Sequence, residues 1–339
     1  MWRKTQKLLA TVVPLVLLLA YLAVAACMLN RWDAMVPVTL TPVWAWAGAG
    51  ALVSLLCWIV CRGPALGAML CLFLVTVAAF SEEVRGICRE AVASVRERRA
   101  APASPEEGAI LRLASVRCSG KEEALREAVE AAPDLLLVQE APDKMTLDAI
   151  ADRLYGVERS VTTWGDLAIL ARGETLSVLT DPQGKALHVR LRHPGGLVID
   201  ATNLDLPGCA PRLDMWKPPV WKGLVAARVE TRRIVRTLLG ENPMNRDRVA
   251  RVVGGGFGTP PKDDVFRPLE NNRMVDTGAA SGQGWNNTHP STYPFLRLDQ
   301  IWVSPNLVPL KSTTRLNPDA KGRIVVSEVR MPAAKAKVP

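Results

Sequence analysis

The sequence has few of the residues and motifs that usually signal metal or nucleotide chemistry. It contains only three histidines among 339 residues, and its seven cysteines form neither a CxxC pair nor a Cys/His spacing that binds zinc. The glycine-rich stretch VVGGGFG is followed by Thr-Pro-Pro, and no GKS or GKT triplet occurs anywhere. These absences argue against a zinc site and exclude a P-loop.

The cysteines do not indicate the redox compartment of the protein. Four of the seven lie in strongly apolar segments, where a cysteine behaves as a small hydrophobe. Further along the chain, Cys118 and Cys209 would form a disulfide if they faced an oxidising compartment, and two free thiols are the alternative.

Long apolar runs are abundant, but only before residue 81. Three stretches are long enough to cross a bilayer as helices, namely Leu8 to Leu29, Val36 to Val60, and Pro64 to Phe80. The net charge of +9 and the pI near 9.4 favour anionic partners such as phosphate groups or lipid headgroups. We therefore predict a membrane anchor at 1–80, a basic stalk helix and linker at 81–108, a soluble domain at 109–333 and a tail at 334–339.

The orientation in the membrane has two interpretations that lead to the same side. Leu8 to Leu29 is either a retained span or a cleaved secretory signal, and both place the soluble domain outside the cytoplasm. Basic residues before the first run and at Arg62 favour this orientation, whereas the arginines from Arg85 to Arg99 oppose it. We expect an extracytoplasmic domain on a multi-pass membrane protein.

Two segments each have a structural and a functional interpretation. Ser81 to Arg99 is typical of a basic amphipathic helix, either a solvated stalk or a segment held on the surface by anionic headgroups. The segment DMWKPPVWKG, from Asp214 to Gly223, contains two tryptophans and two lysines around a Pro-Pro bend. It is either a packed aromatic loop or a basic aromatic lip that touches the bilayer or a ligand headgroup.

The soluble region alternates between buried strands and amphipathic helices. AILRLASVRC, PDLLLVQEAP and LAILARG have the pattern of strands, and KEEALREAVEAA and VAARVETRRIVRTLLG that of helices. A run of antiparallel strands is predicted from 176 to 206. This alternation predicts an α/β protein with helices that cover packed sheets.

Five landmarks occur in a recognisable order. They are LRLASVRC, PDLLLVQE, DATNLDLPG, VVGGGFGTPPKDDVFRPLE and LRLDQIWVS. In this order and spacing, the region from Leu111 to Pro332 resembles the endonuclease/exonuclease/phosphatase (DNase I-like) superfamily. The resemblance implies a four-layered α/β sandwich with two central mixed sheets, and Mg²⁺-dependent cleavage of phosphate esters. Membrane-anchored bacterial members have a few N-terminal spans, so the resemblance also implies the bacterial inner membrane.

The resemblance identifies which catalytic positions remain. Glu140 corresponds to the metal-binding glutamate of the family's Gln-Glu strand end, but Arg117 replaces the asparagine after the first strand. In the Asn-x-His motif, Ala201 and Asn203 replace the asparagine and the histidine.

The second half of the family motifs is more altered. Gly256 and Gly258 replace the aspartate and asparagine of the glycine loop, whereas Asp299 keeps the aspartate that orients the last histidine. That histidine and its preceding aspartate are absent from the terminal motif. The corresponding positions are Ala320, Lys321, Gly322, Arg323 and Ile324. His289 lies on a loop that the family has near the site, and it is a possible substitute or an ordinary loop residue.

The replacements have two interpretations. In the first, Arg117 and Lys321 neutralise Glu140 and Asp299, and the old site becomes a salt-bridged plug. In the second, these cations, with Arg323, hold an anionic phosphorylated ligand without cleaving it. Glycine provides no side-chain metal ligand or base, so Glu140 is the metal ligand that remains, if any does.

The sequence therefore favours a catalytically degenerate, membrane-anchored binding or scaffold module, with Glu140, Asp299 and Asn203 as a remnant site. No cofactor is expected for this function, and the lipid bilayer is the expected partner. The alternative is an active phosphatase or phosphodiesterase that uses Mg²⁺ on a phosphorylated lipid or envelope precursor. Nuclease activity ranks third, and nucleic acid is not an expected partner.

Overall fold

The computed structural model describes residues 2–97, 109–208, 212, 214–240, 249–320 and 322–331. These residues form two compact units. The first comprises Met1–Arg85 and Cys209–Val229, and the second comprises Gly86–Gly208 and Glu230–Pro339. The predicted linker at 100–108, the tail at 334–339, Cys209 and Lys321 lie outside the described residues.

The first unit is helical. Its elements are α1 (Trp2–Asn30), a 3₁₀ turn (Asp33–Met35), α2 (Val36–Leu40), α3 (Val43–Cys61) and α4 (Pro64–Phe80). In the described residues, two helices are long and apolar enough to cross a membrane, Leu8–Asn30 and Val43–Cys61. Pro64–Phe80 qualifies only as part of a bent pair with Glu82–Val95, so the number of spans is two, or three if that pair is one span.

The predicted span from Val36 to Val60 is wrong at its N-terminal end. The helix breaks at Thr41, which has an extended backbone (φ −77°, ψ 127°), and starts again at Val43 after Pro42. Proline disfavours the helical conformation in the residue before it, which explains why an apolar run continuous in sequence is not one helix. Residues 31–42 are therefore the connection between the two candidate spans.

The second unit contains two six-stranded sheets. Sheet A has the order β11-β12-β1-β2-β4-β3 and sheet B the order β5-β6-β7-β8-β10-β9. The strands are β1 Ile110–Arg117, β2 Leu135–Gln139, β3 Arg159–Trp164, β4 Leu167–Arg172, β5 Glu174–Thr180, β6 Ala186–Arg192, β7 Val198–Asp205, β8 Ala250–Gly256, β9 Val275–Asp276, β10 Asp299–Val303, β11 Val308–Arg315 and β12 Ile324–Arg330. The helices that lie wholly in this unit are α6 Arg126–Glu130, α7 Lys144–Tyr155, α9 Arg267–Asn271 and α10 Thr277–Ser281. Two more helices, α5 Glu82–Glu97 and α8 Pro218–Gly240, begin in the first unit and continue into the second.

Both sheets are mixed, because the pairs β1–β2 and β7–β8 are parallel and the remaining pairs are antiparallel. Their facing sides form the central core, in which Leu137, Ile169 and Val252 are at most 1% exposed. Helices α6 and α7 cover the outer side of sheet A, and α8 and α9 cover that of sheet B. The four-layered α/β sandwich predicted from the sequence is confirmed.

From Gly86 on, helix α5 is part of the second unit. The guanidinium of Arg89 donates to the carbonyl of Ala279 over 2.9 Å. Gly86 lies so close to the loop at Gly284 that an added Cβ would be 2.3 Å from its carbonyl oxygen. Gly86 and Arg89 of this helix therefore contact the loop and helix around 279–284.

Candidate functional site

Five residues at strand ends meet at one edge of the two sheets. Arg117 ends β1, and Glu140 directly follows β2, whose last residue pairs with Arg117. Gly256 ends β8 and pairs with both Asp205, the last residue of β7, and Asp299, the first residue of β10. The strand register therefore brings Arg117 and Glu140 together in sheet A, and Asp205, Gly256 and Asp299 together in sheet B. The ion pair between Arg117 and Asp205 joins the two groups.

Arg117 bridges two of the three carboxylates. Its Nη1 lies 3.4 Å from Oε1 of Glu140, and its Nη2 forms a short ion pair with Oδ1 of Asp205. The three side chains are 24–28% exposed, so the cluster is partly shielded from water but still reachable by it. Charge-assisted hydrogen bonds of this kind fix the guanidinium in one orientation.

Gly256 makes room for that guanidinium. An added Cβ at this position would lie 2.3 Å from Nη2 of Arg117 and 3.2 Å from Oδ1 of Asp205. Arg117 therefore occupies the space into which a residue larger than glycine would project, and its guanidinium would have to move to admit one. The replacements at 117 and 256 are therefore geometrically linked.

At position 258, glycine is required by the backbone and not by a neighbouring side chain. Its φ of +62° lies in the left-handed region, and an added Cβ would be 2.4 Å from the Cα of Gly208. Asparagine tolerates left-handed conformations, but not a backbone contact of this length. The loop as it stands therefore has no place for the asparagine that the family has there.

Asp299 is the most buried carboxylate of the group. Burial raises the pKa of Asp299, while Arg117, a hydrogen bond with Thr288 and His289 act in the opposite direction. A Cβ at Gly322 would lie 3.2 Å from its Oδ2, so Gly322 lies directly against this carboxylate. His289 is therefore near enough to influence Asp299, although it occupies no motif position.

Asp205 is a residue of the cluster that corresponds to no catalytic position of the family motifs. Burial raises the pKa of Asp205 and Glu140 adds to this, whereas the charge of Arg117 lowers it. The sequence signal for Asp205 is its position two residues after Asn203 in the same strand. Because side chains alternate along a strand, Asp205 shares a face with Asn203 and lies one step closer to the strand end.

Asn203 has a structural position between the sheets. It is fully buried, its amide donates to the carbonyls of Val138 (2.7 Å) and Ala168 (2.9 Å), and its Oδ1 accepts from Gln139 (2.6 Å). All its polar atoms are used to join β7 to strands of the other sheet. The side chain of Asn203 thus bonds to Val138, Ala168 and Gln139, and not to the residues of the cluster around Arg117.

The remaining cationic candidates are not equivalent. Nε of Arg323 donates to the carbonyl of Ser291 over 2.9 Å, and its amide donates to that of Thr288 over 2.7 Å. Lys321 lies outside the described residues. Of the three predicted anion-binding cations, Arg117 alone has a described contact with the carboxylates Glu140 and Asp205.

Cys118, next to Arg117, provides no nucleophile. Burial, together with the negative charge of Glu140, raises the pKa of its thiol to about 12. The thiol therefore stays protonated at neutral pH, and a protonated thiol is a poor nucleophile.

The cluster does not fit a divalent metal as it stands. In the described part of the chain, no group of three His, Cys, Asp or Glu residues is arranged to hold a metal ion. Glu140 and Asp205 are both engaged by the guanidinium of Arg117, which repels a cation at the same place. Gly256 and Gly258 have no side-chain oxygen to add as a ligand.

Comparisons with known proteins agree with this architecture. Residues 111–327, more than half of the chain, match the family model described as Endonuclease/Exonuclease/phosphatase family. An endonuclease/exonuclease/phosphatase from Bacteroides vulgatus has a TM-score of 0.51 and 14% identity, covering 66% of this chain and 99% of its own. A mannosyl-6-phosphatase from Bacteroides thetaiotaomicron has a TM-score of 0.50 and 13% identity, covering 65% and 99%.

No curated protein matches the sequence significantly. At identities this low the structural neighbours show the shared fold, whereas the family model shows membership. The chain belongs to the endonuclease/exonuclease/phosphatase family.

Proposed function

We propose that this protein is a membrane-anchored, catalytically inactive member of its family, in which a fixed guanidinium takes the place of the metal ion. The observation that supports this is the position of Arg117, held by Glu140 and Asp205 above Gly256. The domain then acts as a binding or scaffold module.

The chemistry of phosphate ester hydrolysis explains why this arrangement is inactive. Hydrolysis in this family needs a hard cation that accepts oxygen ligands and a group that activates or orients the attacking water. A guanidinium donates hydrogen bonds but has no vacant coordination position, and it does not give up its proton at neutral pH. Gly256 and Gly258 have no side chain that could activate water.

The charge balance favours the plug over an anion-binding pocket. Arg117 faces Glu140 and Asp205 directly, and its charge also acts on Asp299. Among the described residues that meet at this edge, one guanidinium faces three carboxylates, and that balance does not attract a phosphate group strongly. We therefore infer that the module binds its partner through a surface other than this cluster.

The test is a hydrolysis assay of the full-length protein in detergent. p-Nitrophenyl phosphate, bis-p-nitrophenyl phosphate and supercoiled DNA are offered with Mg²⁺ or Mn²⁺. We expect no turnover beyond that of a Glu140→Ala variant. Turnover that the Glu140→Ala change abolishes would overturn the proposal.

The alternative function is an active phosphatase or phosphodiesterase for a phosphorylated lipid or envelope precursor. One observation favours it, because Glu140, Asp205 and Asp299 still lie at the edge where the strands end. A phosphorylated lipid in the same assay distinguishes this alternative from the inactive module, and cleavage of DNA would point to a nuclease.

For the location, we propose the bacterial inner membrane with the domain outside the cytoplasm. The basic residues Arg3, Lys4, Lys7 and Arg62 support this orientation by the positive-inside rule. Protease treatment of spheroplasts should then cleave the domain without lysis, and protection until lysis would reverse the orientation.

A further inference from the structure

The connection between the two candidate spans marks one face of the membrane. Residues 31–42 join Leu8–Asn30 to Val43–Cys61, so this turn lies at the level where the apolar part of the bilayer ends. Any part of the chain that packs on this turn is held at the same level.

The segment Met215–Val229, here called the interface segment, packs on this turn. The indole Nε1 of Trp221 donates to the carbonyl of Ala34 over 2.8 Å. Leu224 is buried in a cluster with Val36 and Leu40. The interface segment is therefore part of the first unit, although more than 170 residues separate it in sequence from the turn.

Arg228 holds the interface segment in one position on the turn. Its side chain is fully buried, and Nε lies 3.5 Å from Oδ1 of Asp33. Its Nη1 donates to the carbonyl of Trp32 (3.3 Å) and to Oγ1 of Thr39 (3.1 Å). A buried guanidinium with these partners does not slide along the turn, because any shift would break several charge-assisted contacts at once.

The free side of the interface segment is aromatic and basic. Trp46, in the first turn of α3, lies edge-on to Trp216 with ring centroids 6.4 Å apart, and Trp216 is edge-on to Trp221 at 5.9 Å. Trp216 is 46% exposed, and Lys217 and Lys222 are exposed. Tryptophan is enriched at the membrane–water boundary, and lysines near that boundary attract anionic lipids.

We propose that the interface segment binds the headgroups of anionic phospholipids through Lys217 and Lys222, with Trp216 inserted at the boundary of the acyl chains. The turn sets the level, the tryptophans match the amphipathic boundary and the lysines match its negative charge. The inference does not depend on whether the site around Arg117 is active.

The test uses the full-length protein and lipids of defined composition. The protein is reconstituted in mixed phosphatidylcholine/phosphatidylglycerol nanodiscs, and the lipids retained on release are counted by native mass spectrometry. We expect the wild type to retain phosphatidylglycerol preferentially, and Lys217→Gln/Lys222→Gln to lose most of that preference. Lys144→Gln/Lys311→Gln, which removes two exposed lysines of the second unit, is the matched control and should behave like the wild type.

Thermal melts of both double variants serve as the folding control, and we expect them to match the wild type because all four lysines are exposed. An unchanged phosphatidylglycerol preference in Lys217→Gln/Lys222→Gln would overturn the proposal, and so would an equal loss in the control variant.

Discussion

A side chain at position 256 would require Arg117 to move, because a Cβ there would lie 2.3 Å from Nη2 of Arg117. In Gly256→Asp the new carboxylate would displace the guanidinium and add a fourth negative charge to the edge. In Arg117→Asn the guanidinium is gone, and Glu140 and Asp205 lose their common partner. The two changes together remove the cation, free two carboxylates and add a third oxygen ligand.

We therefore predict that Arg117→Asn/Gly256→Asp gains a divalent-cation site that the wild type lacks. Carboxylate and amide oxygens are the ligands that Mg²⁺ and Mn²⁺ prefer. Calorimetric titration with Mn²⁺ should show saturable binding to the double variant. Arg117→Asn/Gly256→Ala is the control without the new ligand, and equal binding by the control, or none by the double variant, would contradict the prediction.

Asp299 gives the site a pH dependence whose sign is fixed by burial. Burial raises its pKa above the ordinary value of 3.8, so the folded protein binds more protons than the unfolded chain between these two pKa values. The free energy of unfolding then falls as the pH rises through that interval. Asp299→Asn should remove this loss and increase stability at pH 7 by about 1 kcal/mol, because a buried carboxylate with partial compensation costs at least that much when ionised.

Thermal melts from pH 3.5 to pH 8 measure this effect. The stabilisation by Asp299→Asn should shrink towards acidic pH, where the aspartate is protonated in both states. The exposed Asp143, whose pKa is lowered by hydrogen bonds from Thr146, is a control of opposite sign. Asp143→Asn should lower the stability at neutral pH, and this destabilisation should disappear towards acidic pH.

At the scale of elements, the local hydrophobic pattern predicts most of the strands and helices of the sandwich. The remaining strands and the contacts between the sheets depend on residues far apart in the sequence. PDLLLVQE is a buried strand that ends in a carboxylate, and such a run is recognisable alone. The half-exposed strand β3 and the two-residue β9 have no comparable pattern. The contact of Arg117 with Asp205 spans 88 positions, so no local window contains it.

The same limit applies to Asn203, where resemblance assigned a motif position but not an orientation. Its hydrogen bonds to Val138, Ala168 and Gln139 all cross from sheet B to sheet A. Asn203→Ala should therefore destabilise the domain by about 3 kcal/mol, since it leaves buried carbonyls unsatisfied and opens a small cavity. Thermal or urea unfolding measures this cost.

The matched control is Asn272→Ala. This change removes one partly buried hydrogen bond to the carbonyl of Pro268 and should cost about 1 kcal/mol. Equal costs for the two variants would mean that the Asn203 bonds do not join the sheets strongly.

At the scale of the whole molecule, the division into two units differs from the order of the sequence. The chain leaves the second unit after Gly208 and contributes the interface segment to the first unit. From Glu230 on it belongs to the second unit again. The segment Pro218–Gly240 forms one helix, α8, so the division falls inside a continuous element. A long-range ion pair, Arg228 with Asp33, explains why the first half of that helix belongs with the membrane turn.

The two partners of that ion pair should not be equally costly to lose. Arg228 is fully buried, whereas the side chain of Asp33 is 33% exposed. Asp33→Ala leaves a buried guanidinium without its carboxylate and should cost about 3 kcal/mol, but Arg228→Leu leaves a carboxylate that water can reach and should cost less.

Hydrogen exchange of the full-length protein in nanodiscs measures which segments lose stability in each variant. Exchange should accelerate about 100-fold in 31–42 and 215–229 for Asp33→Ala, less for Arg228→Leu, and not in β1, β2, β7 and β8, because those strands belong to the other compact unit. Equal acceleration in the strands would show that the two units unfold as one.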